Sequence, residues 1–165
     1  MNDEFSFEKY VDMNKYEGNW FFYDKAVPVN EQDIKLIKPL TKQYSIFLWS
    51  KYISQKNRHL MLLEKNEWPN LLKIQEYNWA EDWNERNYNG LSEYLINKAS
   101  FIDDDLIYFF WMKETGVETT WAIFLKYWIN FLFEDEGPIL ISPEKDDAFS
   151  FGPSGTVLIG KRKTI

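Results

Sequence analysis

Three acidic clusters hold the side chains best able to do chemistry in this chain. Asp103-Asp104-Asp105 and Glu134-Asp135-Glu136 are triplets, and Glu81, Asp82 and Glu85 surround Trp83, with Trp79 close by. Carboxylates in this number could form an acid–base pair of the glycosidase kind, hold a hard cation, or meet the Lys and Arg side chains of a partner. Adjacent carboxylates on an extended segment point to alternate sides, so one triplet cannot converge on a metal ion. A tryptophan beside carboxylates suits a Lys or Arg head group, which the ring face and the opposite charge both attract. The sequence therefore points to a partner-binding surface of Asp103, Asp104, Asp105, Glu134, Asp135 and Glu136. Glu81, Asp82, Trp83 and Glu85 form a second group, and Trp79 or Trp83 would be the anchor. The plainer reading makes the acids solvated loops and both tryptophans core residues.

The charge is localised. From Phe101 to Asp147 eleven acids face three lysines, a balance of −8, whereas residues 1–100 balance to −2. Lys161, Arg162 and Lys163 return +3, giving the net −7. Such a field repels nucleic-acid backbones and anionic membrane surfaces and attracts a basic protein. Glu134-Asp135-Glu136 also follows a helical segment, where negative charge opposes the helix dipole.

Several chemistries are excluded by composition. The chain has no cysteine and one histidine, His59, so a thiol nucleophile, Cys-ligated zinc and a multi-histidine metal site are all ruled out. No nucleophile-elbow, phosphate-loop, zinc-protease or dinucleotide fingerprint occurs. No catalytic residue, metal or cofactor is assigned, and no enzyme is expected. The acidic N-terminus lacks an apolar core, and the run Leu106–Met112 is far short of a membrane span. A cytoplasmic protein of one domain, residues 1–165, is expected. Its 19% aromatic content supplies ample burial for a packed core.

The elements that must position these groups follow from periodicity and punctuation. Trp20–Tyr23, aromatic and bounded by Gly18 and Asp24, reads as a strand. Asn30 caps a short helix ending near Pro39, and Thr41 caps another with Tyr44, Phe47, Leu48 and Tyr52 on one face. Gln55–Arg58 ends that helix. The segment 71–85 yields no assignment, Asn87–Gly90 reads as a loop, and residues 91–99 as a helix. Leu106–Lys113 is a buried strand, and Glu114–Gly116 a turn. Trp121, Phe124, Leu125, Trp128, Phe131 and Leu132 form the strongest helical stripe, opened at Thr119 or Thr120 and stopped by Asp135–Pro138. Short strands at 139–141, 148–151 and 156–160 complete a three-stranded meander. The class is α+β: helices in the first two thirds on a mainly antiparallel sheet, then a C-terminal helix and the meander.

Three passages carry a resemblance. They are Ile37–Thr41 with Leu48-Trp49-Ser50, Glu118–Ala122, and Trp128 with Asn130–Phe133 running into Asp135–Ile141. In these the chain resembles an uncharacterised bacterial family of small acidic proteins known only as a domain of unknown function. In size, acidity, lack of cysteine and the late Phe151-to-Gly155 turn it is similar in character to immunity proteins of polymorphic and contact-dependent toxin systems. That second likeness implies a cognate basic toxin as partner, a nuclease whose cationic active site an acidic surface would block. The alternatives are a small carboxylate-based or metal-dependent hydrolase, and a housekeeping binding module.

Overall fold

The computed structural model describes residues 6–56 and 59–163. The helices are α1 (Trp20–Tyr23), α2 (Glu31–Ile34), α3 (Lys42–Tyr52), α4 (Trp79–Glu85), α5 (Tyr88–Lys98) and α6 (Trp121–Phe131). The strands are β1 (Lys38–Pro39), β2 (Lys73–Ile74), β3 (Leu106–Met112), β4 (Thr115–Thr120), β5 (Ile139–Ile141), β6 (Asp147–Gly152) and β7 (Thr156–Lys161). They form one antiparallel sheet in the order β1-β4-β3-β5-β6-β7-β2. The fold is α+β, with β5-β6-β7 as the expected meander after α6. Among the described residues no helix is long and apolar enough to cross a membrane.

β3 is apolar from end to end because it lies between two cores. A strand turns alternate side chains to opposite faces. Ile107, Phe109 and Trp111 enter one core with α1, α4, α5 and α6, while Tyr108 and Phe110 enter a second with Tyr44, Leu48 and Trp49 of α3. Both faces of the sheet are covered, so the run reads as unbroken hydrophobicity rather than alternation. Burying one such ring contributes about 2–3 kcal/mol.

Several local expectations hold. Asn30 accepts from the Gln32 amide, Thr41 from that of Tyr44, and Thr120 from that of Ile123. Each satisfies an amide that the first helical turn leaves unpaired.

Four assignments are corrected. Trp20–Tyr23 is a helical turn, not a strand. Phe21 and Phe22 are both buried, and Phe22 packs on Phe131 of α6 at 5.1 Å. Neighbours in a strand would face opposite ways, whereas helical neighbours can share a buried side, and packing overrides strand propensity. Tyr88–Gly90 is the first turn of α5 rather than loop. There Gly90 gives clearance, since a Cβ would lie 2.3 Å from the Asp82 carboxylate. Gly116 lies inside β4, opposite Phe110. The helix capped by Asn30 stops at Ile34, and the unassigned segment holds β2 and α4. The helix stop placed at Gln55–Arg58 includes residues 57 and 58, which lie outside the described residues.

Helix α6 is broken at Tyr127 (φ −120, ψ 21). A break frees carbonyls, and side chains from other elements satisfy those near it. Ser92 of α5 donates to the Leu125 carbonyl, Trp83 of α4 to that of Ile129, and Trp111 of β3 to that of Phe131. Asn130, almost wholly buried, donates both amide hydrogens, to the carbonyls of Phe21 and Val27 at 2.8 and 2.7 Å. Helix, sheet and N-terminal segment are thereby fixed to one another around the end of α6.

Candidate functional site

The chain leaves α6 through Phe133, and the triplet Glu134-Asp135-Glu136 follows at once. Phe133 is half-buried. It meets Trp83 edge-on at 5.8 Å, Trp20 at 5.6 Å and Phe21 at 6.3 Å. Trp83 holds its place by donating to the Ile129 carbonyl at 3.2 Å.

Phe133 and Asp135 are the shared wall of two concavities. One, of about 400 Å³, is lined by Trp111, Met112, His59 and all three acids of the triplet. The other, of about 320 Å³, is lined by Trp79, Trp83, Asn84 and Gly155. Together they make an acidic groove with aromatic walls, running either side of Phe133.

The carboxylates of this groove differ from four other acids of the Phe101–Asp147 segment that have partners. Asp105 pairs with Lys145 at 2.6 Å and accepts from the Ile102 amide. Glu118 accepts from the Tyr10 hydroxyl. Asp147 binds Ser100 and Lys161, and Asp146 lies 3.8 Å from Arg162. Glu134, Asp135 and Glu136 have no hydrogen-bond or ion-pair partner among the described residues. Their field reaches inward. Burial, and after it the charges of Glu134 and Glu17, push the Tyr16 hydroxyl well above a tyrosine's ordinary value. That hydroxyl is buried without a partner.

The sequence-predicted residues separate into distinct places. Trp83, Glu134, Asp135 and Glu136 come together. Asp103, Asp104 and Asp105 precede β3, whereas Trp111 and Met112 at its far end line the groove. Seven strand residues at about 3.3 Å each put the two triplets about 20 Å apart. Asp103 lines one cleft and Glu134, Asp135 and Glu136 another. Asp103 and Asp104 are exposed, but Asp105 is 7% exposed and fixed in an internal ion pair. The Lys145 ammonium, and after it the Ile102 amide, hold its carboxyl below the usual range. It serves the turn that caps α6, where Asp103 and Asp105 carbonyls receive the Ala122 and Trp121 amides.

Glu81 and Glu85 are exposed, but at two residues before and after Trp83 they face away from its ring. Asp82 accepts from the Tyr77 hydroxyl and the Asn87 amide, a structural use. Trp79 is 3% exposed and donates to the Thr156 carbonyl, whereas Trp83 is half-buried and the more accessible of the two. The Arg86 guanidinium already lies over the Trp83 ring, 5.4 Å from its centroid.

Phe133, Met112 and Trp111 are the groove residues that sequence reasoning missed. For Phe133 the signal was present: a large aromatic stands immediately before three successive acids. No three His, Cys, Asp or Glu side chains among the described residues converge on a metal-ion position.

No curated protein and no solved structure matches the chain. A family model described as "Protein of unknown function (DUF2947)" matches residues 10–160, and the chain belongs to that family.

Proposed function

We propose that this protein binds a basic protein partner in the acidic groove around Phe133, and that the binding neutralises a cationic toxin, a nuclease. The observation that carries the proposal is the set of three unpaired carboxylates, Glu134, Asp135 and Glu136, set against the aromatic walls of Trp83, Phe133 and Trp111.

Arginine is the side chain that such walls favour. Its planar guanidinium stacks on an aromatic face while its N–H groups meet a carboxylate. Arg86 over Trp83 is an internal example of that stacking. A nuclease holds phosphate with Lys and Arg, so a cluster of carboxylates can occupy the same positive site in place of the phosphates. The acids would steer the encounter and the aromatic ridge would supply the desolvated centre of the contact.

The test is co-expression with the protein encoded immediately upstream, followed by co-purification at low and high salt. The expected outcome is a complex that weakens with salt and is lost when Glu134 and Glu136 are both changed to Lys. A complex that withstands both high salt and the double reversal refutes the acidic-groove mode. Absence of any complex refutes the toxin reading.

A further inference from the structure

A second cleft, of about 570 Å³, opens beside the break in α6 and shares no lining residue with the acidic groove. That volume lies within the range of small-molecule sites. Apolar walls come from Val27, Pro28 and Leu125.

The hydrogen-bond ledger of its buried polar lining is one-sided; the exposed Asn89 alone keeps unassigned amide donors. Asn130 is 2% exposed and has given both amide hydrogens to Phe21 and Val27, which leaves only its Oδ1 to offer the cleft. Oδ1 has no partner among the described residues. Ser92 has committed its single hydroxyl hydrogen to the Leu125 or Tyr88 carbonyl, leaving only lone pairs. Tyr127 donates to Asp33 and accepts from the Asn30 amide. Lys126 stands at the rim, its charge offset by Asp33 at 2.8 Å. Asp103 adds a carboxylate that no described side chain or amide pairs. The buried groups thus retain acceptors and no donor, and the one uncompensated charge is negative.

We propose that this cleft binds a small organic cation, a protonated primary amine on a short apolar body. Its ammonium hydrogens would meet the Asp103 carboxylate, Asn130 Oδ1 and Ser92 Oγ, while its carbon chain lies on Leu125 and Pro28. An anion would face lone pairs it cannot satisfy, and a neutral alcohol brings one donor where three acceptors wait.

Amide-resolved NMR titration of the whole protein with butylamine, butanol and butyrate tests the assignment. The expected result is saturable shifts at Asn89, Ser92, Asp103 and Lys126 with butylamine alone, and affinity about tenfold weaker in Asp103→Asn. Asp103 is exposed, so that variant keeps the fold. Cleft amides that stay still at millimolar butylamine overturn the proposal. So do equal shifts with butanol, or an Asp103→Asn titration matching the wild type. Shifts confined to Glu134–Glu136 also overturn it, and leave the groove reading standing.

Discussion

Asp105 and Lys145 form an ion pair of 2.6 Å in which the carboxylate is buried and the ammonium one-third exposed. The pair ties the turn before β3 to the loop between β5 and β6, and it makes folding sensitive to acid.

Asp105 and Asp33 both have carboxyls held below their ordinary value, each chiefly by a lysine, Lys145 and Lys126. For Asp147 burial acts upward, but Lys161 and Ser100 outweigh it and the net direction is also down. A folded-state value below the unfolded one contributes stability that is fully present above the unfolded value, near pH 4. That stability is lost as pH falls through the lowered folded values. Urea unfolding at neutral pH and at about pH 3 should therefore show a steep loss for the wild type. Asp105→Asn should start less stable and lose less across that interval. Parallel loss in the two proteins would contradict the assigned role.

Asn130 should be the least replaceable polar residue of α6. Asn130→Ala leaves two buried carbonyls without donors, a cost of about 2–5 kcal/mol. Asn130→Asp should be worse at neutral pH, because it sets a buried charge against the same two carbonyls. Denaturant midpoints of the two variants give the order directly, and a milder effect for Asp would contradict it.

Ser92→Ala removes the donor that serves the Leu125 carbonyl beside the break in α6. The expected cost is about 1–2 kcal/mol. Amide hydrogen exchange should quicken around Tyr127 before the sheet is affected. Unchanged exchange there would mean that the break is supported by other contacts.

The triplet Glu134-Asp135-Glu136 should contribute nothing to folding. Glu134→Gln with Glu136→Gln should leave stability within about 0.5 kcal/mol of wild type, or raise it slightly at low salt, because like charges beyond a helix C-terminus are relieved. The same variant should lose partner binding. A clear drop in stability would mark these acids as structural.

The extent to which the sequence reveals this molecule depends on whether a group's environment is local. The caps at Asn30, Thr41 and Thr120 are legible because the side chain bonds an amide two or three residues on. The stripe from Trp121 to Leu132 is legible because one face of a helix is set by spacing. Trp20–Tyr23 is not, because its conformation is decided by Phe131, Phe133 and Trp111, more than eighty residues away. The acidic triplets look like one feature when charge is summed along the chain, and β3 holds them apart. Asn130 carried an unused signal: an amide within Trp-Ile-Asn-Phe-Leu-Phe has to find partners in a dry interior.

The outermost strands bear on solubility. A chain with 19% aromatic residues would be hazardous if its sheet presented a long open ladder to other molecules. Both outermost strands have two residues, and both carry a lysine, Lys38 or Lys73. β1 ends in Pro39, which has no amide to donate, and residues 9–11 lie along it through Thr41 and Pro39. Neither margin is long enough to template another chain, so the same aromatic strands that build two dense cores are kept from seeding fibrils.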